Sequence, residues 1–497
     1  MLRGGAVQHL QTEGDTRILL IDAAVFTSVA LGPVAEAFGV HEISRYSVGQ
    51  SFTANGRDIL PADSIAASPF SSPTASTLSL LMGQPGSFIE SAPAAPLTAQ
   101  AYGLQTLQKL GLLSGPDLSK YLAAHPDAVT DLLAAAPAAS DVSLWWSNLD
   151  VQAKLNLRAT APQLLGNLEG VPFRIRDAAN RTTLRITISD LNRVVDSTAG
   201  RSVVDNAKQQ LKMLQSISDA LDAVASDTAA DQPRRTLLTL DVAGQGRAAI
   251  VLGDLATADY VTYLVPGMFF TIENQMGAWA EAAGGLYDQQ LEWLDYFGTK
   301  DGVTKSSETV ATVAWIGYHT PNLTNVGGIQ NADEGRDALA TAIKGLQSVR
   351  ADDEPYVTVV AHSYGSTAAL MALTEYDFEV DALALVGSPG SPAKSVDELH
   401  VTDGNVFVGE GAWDPIPNSS YFGSDPGSAS YGAKIMGVSG GTDSITGETL
   451  LASNGHNEYF SPGTQSMRNF ALISIGKGQY VSGGSPLLMV KAVGSGK

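Results

Sequence analysis

The 497-residue chain contains no cysteine. Disulfide bridges, thiolate metal sites and a cysteine nucleophile are thereby excluded together. Basic residues are scarce as well: 30 Lys and Arg stand against 51 Asp and Glu, a formal net charge of −21. That balance argues against nucleic acid as a partner and against docking on anionic lipid, both of which require a basic surface. Long apolar runs are missing. The most apolar early stretch, Ile18 to Gly39, carries Asp22, Pro33 and Glu36, which a membrane span would not readily hold. The first residues, Met1 to Gly5, lack the charged lead and apolar core of a signal peptide. The expectation is a soluble protein without an integral membrane segment, cytoplasmic or secreted. Its 44% hydrophobic and 16% charged residues are those of a globular chain.

No repeat of solenoid period is present. The stretch Val48 to Pro96 is rich in Ser, Pro, Ala and Gly and reads as loop. Helical patterns follow, broken at Gly115-Pro116, His125-Pro126 and Pro137. Between Val203 and Val224, apolar positions Ala207, Leu211, Leu214, Ile217 and Leu221 recur every three or four residues, which predicts an amphipathic helix. The N-terminal half therefore reads as mostly helical. Near Arg235 the character changes. Two β-rich runs, 236–241 and 247–252, flank Ala243-Gly244-Gln245-Gly246 and predict a hairpin. Predicted strands at 260–265, 310–316, 356–361, 382–386 and 406–409 then alternate with helices at 275–296, 331–350, 366–375 and 462–475. Strands as evenly apolar as Val357-Thr358-Val359-Val360 predict a mostly parallel sheet covered on both faces. The expected class is α/β, with a catalytic domain over 231–497. Before it lie an N-terminal region, 1–140, and a helical segment, 141–230, that packs on the sheet domain or covers its site.

The chemistry concentrates after the 356–361 strand, which runs directly into Ala361-His362-Ser363-Tyr364-Gly365-Ser366. A serine in a tight strand-to-helix turn has its hydroxyl exposed above the sheet edge, and the next backbone N–H, that of Tyr364, can face an oxyanion. Gly365 and Ala368 supply small flanks, and Ala361 stands where such turns usually have a first glycine. An activated serine needs a base and an orienting acid, in the chain order serine, acid, histidine. Only His400 and His456 follow Ser363. His400 precedes a strand, at its wrong end. His456 lies in the polar loop Ser453 to Tyr459 and is the candidate base. Asp414, in Asp414-Pro415-Ile416-Pro417 just beyond the 406–409 strand, is the candidate acid, with Glu410 and Asp425 as rivals.

A second oxyanion donor is expected after the 260–265 strand, where Val265-Pro266-Gly267-Met268-Phe269-Phe270 offers the N–H of Met268 or Phe269. Met268, Phe269, Phe270, Trp279 and Tyr318 are candidates for an acyl pocket, and His319 for its border. No spaced His and carboxylate set suggests a metal, and no dinucleotide fingerprint or P-loop is present, so no cofactor is expected.

These motifs resemble the largely actinobacterial α/β-hydrolases grouped as a domain of unknown function. The resemblance rests on Tyr263 to Met268, Ala361 to Ser366, Gly423 to Pro426 and Gly455 to Phe460. Further upstream it takes in Trp145 to Leu149, Gly166 to Pro172 and Arg176 to Arg181. It implies an α/β-hydrolase fold and a Ser363–Asp414–His456 triad, and names no substrate. The leading expectation is hydrolysis of a small-molecule or lipid-like carboxylic ester through an acyl-enzyme. An amidase or peptidase with the same triad, or a non-catalytic interaction module on this fold, are the alternatives. Oligomeric state is not legible.

Overall fold

The computed structural model describes residues 98–222, 233–300 and 306–481, with short strand segments at 6–12, 15–21, 43–45, 52–54 and 57–59. The described segments before residue 98 are strands, and the described residues from 98 to 222 are mostly helical, as expected for the N-terminal half. Ala6–Thr12 pairs antiparallel with Asp15–Ile21 and with Ile43–Arg45, and Phe52–Ala54 pairs with Arg57–Ile59. The remainder of the 48–96 stretch, and most of 18–39, lie outside the described residues.

The main sheet has eight strands: β1 Arg235–Asp241, β2 Arg247–Gly253, β3 Tyr260–Val265, β4 Val310–Ile316, β5 Tyr356–His362, β6 Ala382–Val386, β7 Val406–Gly409 and β8 Lys434–Ile435. Their spatial order is β1-β2-β4-β3-β5-β6-β7-β8. From β4 to β8 every pairing is parallel, and the β1–β2 hairpin joins the sheet antiparallel to β4. The hairpin turn closes because Gly244 and Gly246 both adopt positive φ. The α/β class read from the alternation is therefore the observed one. The exposed two-residue β8 was not predicted, because it has no apolar run to mark it.

Both sheet faces are buried, which is why the strands read as continuous apolar runs. Neighbouring residues serve opposite faces, as the two-residue strand period requires. Val359 belongs to the buried cluster that includes Leu339 and Ile343 of helix Gln330–Val349, whereas Val360 belongs to the cluster that includes Leu214, Trp279 and Phe470 from three other helices. Those three are Arg201–Asp222, Ile272–Lys300 and Gln465–Ser474. The helix after β5, Tyr364–Glu375, starts two residues earlier than predicted, directly at the turn.

The helices upstream of the sheet dock on its β1 edge. An edge strand leaves backbone N–H and C=O groups without partners. Here side chains supply them. The Asn167 amide accepts from Leu240 N–H (2.9 Å) and donates to Leu240 C=O (2.8 Å). Asp177 accepts from Leu237 N–H, Asn180 donates to Leu237 C=O, and Arg181 donates to Arg235 C=O. Buried Arg176 pairs with Glu169 and donates to Gly166 C=O. A Cβ at Gly166 would fall 1.9 Å from Asn180 Oδ1, so this contact admits only glycine. These are the residues of the Gly166–Pro172 and Arg176–Arg181 motifs. Their chemistry is backbone satisfaction at the edge of the sheet.

Candidate active site

Strand β5 ends in a turn that holds Ser363 at φ 54° and ψ −131°, a conformation costly for any residue with a side chain. The surrounding bonds over-determine it. Ser363 N–H donates to Val386 C=O at 2.9 Å, and Ser363 C=O accepts from both the N–H (2.9 Å) and the hydroxyl (2.6 Å) of Ser366. Two glycines make room. A Cβ at Gly365 would lie 2.3 Å from Pro266 C=O, and one at Gly267 would lie 2.5 Å from Ser363 Cβ. The loop after β3 thus presses on the serine itself. Ala361 is tolerated one position before His362 because it sits fully buried inside the ladder, paired with Val265 and Leu385, and not in the turn.

The Ser363 hydroxyl lies 2.7 Å from His456 Nε2. His456 Nδ1 lies 3.0 Å from each Asp414 oxygen. A hydroxyl, an imidazole and a carboxylate therefore form one continuous chain, with all three side chains buried. The imidazole reaches the serine from a loop in which Gly455 takes positive φ. That loop is laced to the Asp414 loop by a bridge between Ala412 and Asn454 and by Gly455 N–H donating to Ala412 C=O. At Gly387, just after β6, a Cβ would meet His456 Cε1 at 2.9 Å and Asp414 Oδ2 at 3.0 Å, so the β6 turn forms the floor beneath the pair.

Burial alone would raise the Asp414 carboxyl. The hydrogen bond and charge of His456, with further bonds from Tyr459 and Ile416 N–H, outweigh it and hold the carboxyl below its ordinary range. The Tyr459 hydroxyl donates to Asp414 Oδ2 at 2.6 Å and accepts from Gly411 N–H at 2.7 Å. The rival acids behave differently. Neither Glu410 nor Asp425 bonds to His456. Asp425 caps its own turn through Gly427 N–H, as its sequence context suggests. Glu410 has a buried Oε1 without a hydrogen-bond partner, and burial followed by the charges of Asp425 and Asp414 pushes its carboxyl up to about 7.

Of the two oxyanion-donor candidates after β3, Phe269 is committed elsewhere: its N–H donates to Pro321 C=O at 2.9 Å, with φ at 65°. Met268 remains the candidate on that loop, and Tyr364 opens the helix after Ser363. Phe269 and Phe270 are partly exposed. Trp279 and Tyr318 are core. Trp279 donates to Leu264 C=O and Tyr318 to Pro266 C=O, which removes them from the set of wall candidates. His319 is not part of the Ser–His–Asp chain. It pairs with Glu334 at 2.8 Å, beside Arg247. His400, ahead of β7, bonds to the C=O of Tyr376 at the end of helix Tyr364–Glu375 and not to Asp414.

Sequence reasoning missed three residues at this site: Tyr459, Gly387 and His362. Tyr459 lies within the Gly455 to Phe460 motif and could have been asked for a partner, as a buried tyrosine hydroxyl needs one. For His362 and Gly387 no local signal exists, because their roles depend on contacts with residues far along the chain.

Residues 241–424 match the family model described as "Alpha/beta hydrolase". An uncharacterized protein of Mycobacterium tuberculosis is 28% identical over 387 residues, 68% of this chain and 56% of that relative, so the chain spans about half of that protein's length. An uncharacterized protein of Mycobacterium bovis is 29% identical over 208 residues, covering 40% of this chain and 76% of the relative. Among solved structures, an S-formylglutathione hydrolase from Agrobacterium tumefaciens has 12% identity and a TM-score of 0.30, covering 52% of this chain and 99% of its own. Carboxyl esterase 2 from Tuber melanosporum has 12% identity and a TM-score of 0.29, covering 54% and 99%. Likeness at that level says nothing of a reaction.

Proposed function

We propose that this chain, a member of the α/β-hydrolase superfamily, is a serine hydrolase that cleaves a carboxylic ester through an acyl-enzyme. The observation that carries the reading is the hydroxyl–imidazole–carboxylate chain, with 2.7 Å from Ser363 Oγ to His456 Nε2 and 3.0 Å from His456 Nδ1 to Asp414. In this reading His456 Nε2 takes the Ser363 proton as Oγ bonds to the ester carbonyl carbon. Asp414 keeps the proton on Nδ1 and balances the imidazolium that forms. The carbonyl electron pair moves to the oxygen, where the N–H groups of Met268 and Tyr364 receive it. Collapse expels the alkoxide, which takes the proton from His456. Water then repeats the cycle on the acyl-serine, releasing acid and restoring Ser363. Phe269 and Phe270 favour an apolar acyl group.

Labelling with a fluorophosphonate tests this reading. Attachment at Ser363 in the folded protein, lost in Ser363→Ala, is the expected result. Unlabelled folded protein, or equal labelling of Ser363→Ala, overturns it. A panel of p-nitrophenyl esters of increasing chain length, run beside the matching anilides, is expected to show ester turnover well above amide turnover.

A further inference from the structure

The residue before the proposed nucleophile is a second buried histidine that the reaction scheme does not use. His362 is 4% exposed, and its Nε2 lies 2.8 Å from the main-chain carbonyl of His456. A carbonyl only accepts, so Nε2 carries the hydrogen and fixes the tautomer. Nδ1 is then a bare lone pair, and it is buried without a hydrogen-bond partner. The ring packs against the His456 ring with centroids 4.6 Å apart, and near Tyr459 and Phe460 at 5.9 and 6.0 Å.

Packing alone would be served better by phenylalanine, which fills similar space among aromatic rings and strands no ring nitrogen. What phenylalanine lacks is the donor. His456 sits in a loop whose glycine neighbour takes positive φ, and the donor reaches its carbonyl from the last residue of a central strand. We propose that His362 is a positioning residue, whose Nε2–H fixes the backbone of the His456 loop so that the imidazole meets Ser363, the next residue in the chain. One dipeptide, His362-Ser363, then provides both the nucleophile and the clamp on its base, and the rigid strand sets the distance between them. The inference rests on the serine-hydrolase reading given above. Burial first, and the neighbouring His456 second, push the His362 pKa down to about 3, which keeps the ring neutral while His456 takes up its proton.

Two measurements test it. Nitrogen-15 NMR of histidine-labelled wild-type protein reads the clamp without turnover. The expected result is one neutral Nε2–H histidine that does not titrate between about pH 8 and pH 5. A His362 that titrates near its ordinary value, or carries its hydrogen on Nδ1, overturns the inference. The second is the fluorophosphonate labelling rate, with kcat and KM on p-nitrophenyl butyrate. His362→Phe is expected to lower the labelling rate and kcat roughly 10- to 100-fold with KM within about twofold, as a displaced catalytic group does. His362→Gln, whose Nε2–H reaches to about the same place, is expected to recover most of that loss. Equal rates for folded His362→Phe and wild type, or no recovery in folded His362→Gln, also overturn it. If wild type shows the NMR signature but no labelling at all, the serine-hydrolase reading fails and the clamp stands as a structural bond. Should His362→Phe not fold, the wild-type NMR result and His362→Gln still decide the matter.

Discussion

Two polar networks are built against the sheet, one along its β1 edge and one at the end of its central strand β5, and each has an aspartate buried in it. At the β1 edge, Asn167, Asp177, Asn180 and Arg181 bond mainly to main-chain groups of one strand. At the end of β5, Asp414, His456 and Ser363 bond chiefly to one another. β1 lies four strands from β5, on the order of 19 Å across the sheet at about 4.8 Å per strand. The first arrangement satisfies backbone that water would otherwise solvate, and it contributes stability. The second leaves a hydroxyl facing an imidazole, the arrangement that the proposed reaction uses. A buried aspartate by itself does not separate the two, since Asp177 and Asp414 are both buried. What each side chain touches does.

The largest expected effect belongs to Ser363→Ala, which should lower ester turnover by about 10⁵-fold or more while shifting the unfolding midpoint little. Asp414→Asn should follow, with about a 10⁴-fold loss in kcat, because the amide leaves the imidazole without a carboxylate to fix its tautomer. The Ser363→Ala loss should appear in kinetics and not in denaturant unfolding, whereas Asp414→Asn should also lose the stability that its lowered carboxyl supplies. The edge network should give the reverse. Arg176→Met strands Glu169, whose carboxyl burial raises against the pull of Arg176, and should lower the unfolding free energy by about 3–5 kcal/mol. Turnover per labelled Ser363 should stay within about twofold of wild type. A loss of turnover per labelled site as deep as that of Asp414→Asn would erase the distinction between the two networks.

Glu410 sharpens the comparison from the reactive side. Its carboxyl is raised to about 7 in the folded protein, against about 4.3 in an unfolded chain. The folded state therefore holds the proton over that interval, and ionising the group costs stability. The cost begins as pH rises past about 4.3 and is complete above about 7. Glu410→Gln should remove this dependence and stabilise the protein at pH 8 by about 1–2 kcal/mol, after discounting for the partial exposure of the group. Urea midpoints of the two proteins at pH 5 and pH 8 measure it. An unchanged difference between those pH values would show that Glu410 ionises freely. Asp414 has the opposite sign: its lowered carboxyl adds stability that is present above the unfolded value and is lost only as the solution becomes strongly acid.

What the sequence disclosed follows the range of the interactions involved. The strand into Ser363 and the helix after it are local patterns, and the histidine and aspartate could be sought in chain order beyond it. The choice between Met268 and Phe269 could not be made, because it turns on Phe269 N–H reaching Pro321, 52 residues later in the numbering. The motif Arg176 to Arg181 was visible, but its purpose was not. Asn180 meets Leu237 across 57 residues, and Asn167 meets Leu240 across 73. Tyr318 and Trp279 looked like pocket walls because aromatic residues near a site and aromatic residues in a core are spelled alike. Only their burial and their hydrogen bonds to the Pro266 and Leu264 carbonyls tell them apart.

The bridge between Ala412 and Asn454 has a mechanical consequence. With Gly455 N–H on Ala412 C=O and Tyr459 joined to Gly411 and Asp414, the acid and the base ride on a single cassette. Ser363 and His362 ride on the sheet. The hydrogen bonds from Ser363 to His456 Nε2 and from His362 to the His456 carbonyl join these bodies. The distance between His456 and Asp414 is thus set within one cassette, and the distance between Ser363 and His456 is set across the seam between the two bodies, where the proposed proton transfer would take place.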